Sequence, residues 1–154
     1  MEIRHAEPSD LPRLQVLWIE FMDYHCGLDP DYARLEEATT NWAKYIHSKF
    51  DDESAAIFIA IEREDVVGYI GAVIREYPPV WTIRKFGFIE EIAVTSEFRR
   101  RGIARQLFSV AEKWLLAQGV NRIKVNIDVA NEASQGFFRD QGFLDCTETL
   151  IKKY

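Results

Sequence analysis

The sequence predicts a single α+β domain, a mixed sheet flanked by helices. Three observations carry that expectation. At 154 residues the chain has the length of one ordinary domain with its own core, so residues 1–154 are read as one unit. Its apolar positions alternate between helical spacing and short runs of β-branched and aromatic residues. The segments come in a mixed order: two helices, a hairpin with a third strand, then helix, strand, helix and strand.

Each element has a local reason. Ile3–His5 is a short extended start. Ser9 or Asp10 can cap a helix with Pro12 in its first turn, and Leu11, Leu14, Val16, Leu17, Trp18, Phe21 and Met22 follow at helical spacing. Gly27, Asp29 and Pro30 break that helix. A second helix is predicted over Asp31–Lys49, with Tyr32, Leu35, Ala38, Trp42, Tyr45 and Ile46 on its apolar side. Ile57–Ile61 and Val66–Arg75 form a hairpin turning at Glu64-Asp65. Tyr77-Pro78-Pro79 opens a loop towards Lys85, and Phe86–Val94 is a further strand. The next helix presents Ile103, Ala104, Leu107, Phe108, Ala111, Trp114 and Leu115 on one face and stops at Gly119. Arg122–Asp128 is a strand, Asn131–Gln141 a short helix closed by Gly142, and Phe143–Tyr154 a final strand.

Composition excludes whole classes. With 47% hydrophobic and 29% charged residues, the chain is neither a disordered tail, a collagen-like rod nor a disulfide scaffold. A net charge of −6 argues against a general nucleic-acid binder. No apolar run approaches the roughly 20 residues of a membrane span, and the first residues lack the apolar core of a signal peptide. Cys26 and Cys146 lie far apart with no metal-ligand spacing and read as reduced thiols. A cytoplasmic protein without membrane, nucleic-acid or metal partners is expected.

The charge is unevenly spread. Residues 1–55 hold 12 acids and 5 bases, whereas residues 95–124 hold 2 acids and 7 bases. The basic stretch contains Arg99-Arg100-Arg101-Gly102-Ile103-Ala104, which joins a strand to a helix of about four turns. The first N–H groups of such a helix lack internal partners at its positive end, and Gly102 lets a ligand approach the backbone. That is how a pyrophosphate is held; a solvent-exposed basic turn explains the same residues. Neither G-x-G-x-x-G nor G-x-x-x-x-G-K-[ST] is present.

The segment resembles the [Q/R]-x-x-G-x-[G/A] motif of the GNAT superfamily of N-acetyltransferases at Arg99, Gly102 and Ala104. Ile89–Val94 resembles the family's fourth strand, and Asn131–Phe143 its N-x-x-[AS]-x-x-[FL]-Y-x-x-x-G-F block. The segment Ile3–Asp10 resembles its start. The resemblance implies a mostly antiparallel sheet with acetyl-coenzyme A in a cleft where the fourth and fifth strands splay. Main-chain groups of Ile92, Ala93 and Val94 would pair with the pantetheine arm. Amides from Arg99, Arg100, Arg101, Gly102, Ile103 and Ala104, with Arg105 nearby, would hold the pyrophosphate. Asn131 would bond to the pantetheine, and the segment from Ser134 to Phe137 and Phe138 would line the other wall. A helix N-cap explains Asn131 equally well.

The implied reaction is attack of an amine on the thioester, assisted by a base. Strand alternation puts adjacent Glu90 and Glu91 on opposite faces, so only one would reach the cleft. Glu90 stands where some relatives carry the base and is preferred to Glu91; plain strand carboxylates are the other reading. Asn126 and Asp128 stand behind them, and His5, His25 and His47 fit no catalytic or metal pattern. Phe138 departs from the family, many of whose members carry there a tyrosine that protonates the leaving thiolate. That departure keeps open a non-catalytic acyl-coenzyme A-binding or regulatory module. Acceptor contacts would come from Asp23-Tyr24-His25, Asp29, Asp31-Tyr32, Glu36-Glu37 and Tyr77–Trp81. Their acids and aromatics suit an amine of a small molecule or peptide. A final strand shorter than the family's usual pair leaves an edge that a second copy would complete, so a homodimer is one expectation.

Overall fold

The computed structural model describes all 154 residues. The elements are β1 (Glu2–His5), α1 (Leu11–Leu28), α2 (Ala38–Lys49), β2 (Ala55–Glu62), β3 (Asp65–Glu76), β4 (Lys85–Val94), α3 (Ile103–Ala117), β5 (Ile123–Val125) and α4 (Glu132–Asp140). The strands lie in chain order, β1-β2-β3-β4-β5. The first four pair antiparallel, and β5 joins β4 in parallel. The α+β class is as predicted.

Alternation along the strands divides the core between the two faces. Ile57, Ile59 and Tyr69 point to α1 and α2, where they meet Leu14, Trp18 and Trp42. Phe58, Ile70 and Ile89 point to α3 and α4, where they meet Leu107, Phe108 and Phe138. Two strand glycines let α3 come close. A Cβ on Gly68 would lie 3.2 Å from Leu107, and one on Gly87 would lie 2.8 Å from Leu115.

The start of α1 is fixed by Asp10, which is buried. It accepts two bonds from the Arg4 guanidinium, at 2.8 and 2.9 Å, and one from the Glu7 amide at 2.8 Å. The hairpin turns at Arg63-Glu64, both with positive φ, one residue before the predicted position.

Three expectations are corrected. The second helix starts at Ala38 rather than Asp31, because Asp29 accepts a bond from the Asp31 amide and holds Pro30–Tyr32 in a separate single turn. The fifth strand shrinks from Arg122–Asp128 to Ile123–Val125, the stretch that finds a ladder on β4. The final strand, Phe143–Tyr154, does not form. Its apolar side chains have no sheet to lie on within one chain: Leu144 is 89% exposed and Leu150 84%.

Candidate active site

The β4–β5 ladder ends early. Gly87, Phe88 and Ile89 pair with Ile123, Lys124 and Val125, and beyond Ile89 the two strands part. The β5-facing edge of Glu90–Val94 is therefore open, while its other edge remains paired with β3. This opening is the cleft expected between splayed strands, and Ile92, Ala93 and Val94 line it with backbone.

At its far end β4 leads into the arginine-rich turn. Gly102 has φ +77° and Arg100 φ +64°, a left-handed pair that turns the chain into α3. No side chain caps α3, and the space beside Gly102 is open, with nothing within 4 Å of where a Cβ would stand. The free first-turn amides, with Arg100, Arg101 and Arg105 exposed around them, form a cradle that fits a pyrophosphate. Ile103 points its side chain into the core, so only its main chain and that of Ala104 belong to the cradle.

Arg99 is engaged elsewhere. Its Nε donates to the Val94 carbonyl at 3.0 Å, and its guanidinium lies 3.3 Å from Glu20, whose carboxylate also accepts from the Ser96 amide at 2.7 Å. Arg99 thus ties α1 to this turn.

Asn131 caps α4: its Oδ1 accepts from the Ser134 amide at 3.1 Å and from the Tyr24 hydroxyl at 3.4 Å. Tyr24 reaches it from α1, across the cleft. Ser134 and Phe137 stay partly accessible. Phe138 corrects the expectation of a wall residue: it is buried edge-on between Phe108 and Phe143 and lies in the core.

The largest correction concerns the two glutamates. Gly71 pairs with Glu91 and Ala72 with Ile89, so Glu90 is an extra residue in β4. This bulge cancels the alternation at one step and turns both carboxylates to the α2 side. The Tyr45 hydroxyl donates to Glu90, 2.6 and 2.7 Å from its two oxygens. Glu91 accepts from the Tyr69 hydroxyl at 2.7 Å and from the Trp42 indole at 3.2 Å. Both carboxylates line one shallow recess with Tyr45, Lys49, Tyr69 and Val73.

Their environments differ. Burial pushes the Glu91 carboxyl above its ordinary value, outweighing the Tyr69 and Trp42 bonds that pull it down. Burial and the bond to Glu90 raise the Tyr45 phenol, and burial with the Glu91 charge raises Tyr69. Both phenols thus stay protonated as donors. Glu90 keeps an opening to solvent and touches Arg75 at 3.3 Å.

Tyr45, Tyr69, Trp42 and Arg75 were missed as site residues. The available signal was polar tips on apolar faces, since a buried Tyr or Trp seeks an acceptor and the β4 carboxylates are the nearby candidates.

The expected acceptor acids are mostly taken up within the chain. Asp23 pairs with Arg34 at 2.7 Å, Asp31 with Lys153, and Asp29 holds its own turn. Asp128 accepts from Tyr32 at 3.2 Å and lies beyond the end of β5. Val80 and Trp81 are exposed on the β3–β4 loop.

An open parallel pair ending at an uncapped, arginine-flanked helix, with carboxylates on a bulge beside it, describes a two-substrate cleft. Residues 14–143 match the model of the acetyltransferase (GNAT) family, and the chain belongs to that family. It is 29% identical over 116 residues to N-alpha-acetyltransferase 30 of Schizosaccharomyces pombe, covering 73% of each chain. Its fold is similar to that of a mutant of the BH1408 protein from Bacillus halodurans, with a TM-score of 0.91, 22% identity and coverage of 100% and 99% of the two chains. It is also similar to an aminoglycoside N-acetyltransferase, AAC(6')-Iy, in complex with CoA, with a TM-score of 0.75, 21% identity and coverage of 99% and 98%.

Proposed function

We propose that this chain transfers the acetyl group of acetyl-coenzyme A to a primary amine of a small molecule or peptide, with Glu90 as the base. The observation that carries this reading is the placement of the β4 bulge. It sets Glu90, partly open to solvent, at the point where β4 leaves β5, on the strand that runs on to the turn at Gly102.

Coenzyme A fits the open edge of Ile92–Val94 and the free amides at the start of α3, with Asn131 opposite. The bound thioester supplies the acetyl carbon: the amine nitrogen bonds to it, the C–S bond breaks and sulfur keeps the electron pair. Glu90 takes the proton the nitrogen must lose. Tyr45 and Arg75 steady its carboxylate. An alkyl thiolate, from an acid of pKa about 8.5, leaves without an obligatory proton donor, so Phe138 slows the reaction without forbidding it. Glu91, closed in by Trp42 and Tyr69, holds the bulge in place rather than meeting the amine.

The names of the S. pombe N-alpha-acetyltransferase and of the aminoglycoside N-acetyltransferase support an amine as acceptor. The unpaired tail, Phe143–Tyr154, supports a homodimer in which it adds to a second copy.

Thiol release from acetyl-coenzyme A across a panel of amines tests the transfer. Amine-dependent release is expected, and Glu90→Gln should lower kcat by about 100-fold while leaving the KM for acetyl-coenzyme A near its wild-type value. Stabilisation by acetyl-coenzyme A without release by any amine class would leave a binding module instead.

A further inference from the structure

Beyond the Glu90 recess, the α2-facing side of the sheet continues past the end of α2. Cross-strand partners share a face, so Val73 and Phe88 with Lys124, and Arg75 with Phe86, form one strip across β3, β4 and β5. No helix covers it. Phe88 is buried, yet it belongs to neither core cluster; the Arg75 guanidinium lies 3.6 Å from its ring centre. The Lys124 ammonium lies 5.0 Å over both Tyr77 and Phe86 and meets no carboxylate.

The strip therefore runs from an acid, Glu90, to two cations held flat on aromatic rings. Arg75 keeps 44% of its side chain exposed beside Glu90. Glu90 lies two residues beyond Phe88, the Cα partner of Lys124, but the Lys124 ammonium is turned towards Phe86 and Tyr77, so Arg75 is the nearer cation to Glu90 and Lys124 the farther one. A polycationic acceptor would bring its further ammonium groups against Arg75 and Lys124. An acceptor with one amine and one carboxylate would satisfy both ends.

We infer that the acceptor is a zwitterion, an amine also bearing a carboxylate, as in a dipeptide, with its ammonium at Glu90 and its carboxylate between Arg75 and Lys124. This assignment rests on the transferase reading and narrows its acceptor class. Arg75 exchanges part of its contact with Glu90 for the incoming carboxylate, which frees Glu90 for the amine.

The test compares glycylglycine, glycylglycinamide and spermidine as acceptors with the full chain and acetyl-coenzyme A. The dipeptide should show a kcat/KM about tenfold above its amide, with spermidine poorer still. Lys124→Glu should reverse the order of dipeptide and amide, and Lys124→Gln, which adds no charge to the strip, should bring them close to equal. Equal turnover of dipeptide and amide by wild type, or an unchanged preference in both variants, would overturn the assignment. Titration of the same acceptors onto the coenzyme A-saturated protein, followed by NMR, separates the two readings. Dipeptide-selective binding that Lys124→Glu abolishes, without thiol release from any amine, would uphold the acceptor class and refute the transfer. Binding without selectivity would refute the acceptor class itself.

Discussion

Glu90 and Glu91 are neighbours in sequence with the same side chain, yet their surroundings divide their roles. Glu91 bonds to two buried donors, and burial still raises its carboxyl. The native state then holds a proton that the unfolded chain has already released. Stability from this group is highest below its ordinary value of 4.5 and falls as pH rises through the raised value. Glu91→Gln removes the titration. Denaturation midpoints measured between about pH 4 and pH 8 should show the difference between variant and wild type moving in the variant's favour as pH rises. A constant difference would mean that Glu91 titrates normally. Asp10 is the opposite case: the bond from Arg4 holds it below the usual carboxylate range. Asp10→Asn should cost about 2 kcal/mol near neutrality, a loss that shrinks as pH falls through the depressed value of the wild-type carboxyl. Urea titrations at acid and neutral pH would measure it.

Elements are placed by contacts that single residues permit. Helix α3 packs close against β3 and β4 because Gly68 and Gly87 leave room for Leu107 and Leu115. Gly87→Val would drive a branched side chain into Leu115, which is fully buried, and should destabilise the chain by about 2–3 kcal/mol. Equilibrium denaturation measures that loss, and a variant as stable as wild type would show that α3 can shift without cost. The helices were legible where apolar spacing is regular, as in α1 and α3. The start of α2 was not: Asp29 competes for the backbone amides through its side chain, and periodicity carries no trace of that. The bulge in β4 was equally hidden, because an extra residue in a ladder exists only relative to the partner strand.

At the scale of the whole molecule, one segment has no place in the sheet. Twelve residues from Phe143 onward lie along no strand, with Leu144, Leu150 and Ile151 largely exposed. A second copy supplies the missing sheet edge in the dimer proposed above. Light scattering should give a dimer mass for the full chain and a monomer mass after deletion of residues 144–154, with the helical circular dichroism retained. A monomer in both cases would remove the dimer. Charge belongs to this scale too. The acidic N-terminal third engages about half of its carboxylates, Asp10 with Arg4, Asp23 with Arg34, Asp31 with Lys153, Glu20 with Arg99, and Asp29 and Asp52 in local turns. The basic stretch leaves Arg100, Arg101 and Arg105 exposed around the α3 amides.

The sequence by itself determined the α+β class, the position of every helix core, the turn at Gly102 that starts α3 and the cap at Asn131. Each depends on residues a few positions apart, whose spacing is fixed by the chain. Tertiary structure alone decided which face the glutamates share, that Phe138 lies in the core, and that an aromatic and cationic strip continues from Glu90 to Lys124. Those are relations between strands and helices distant in sequence, set by ladder register and packing, and no local pattern records them.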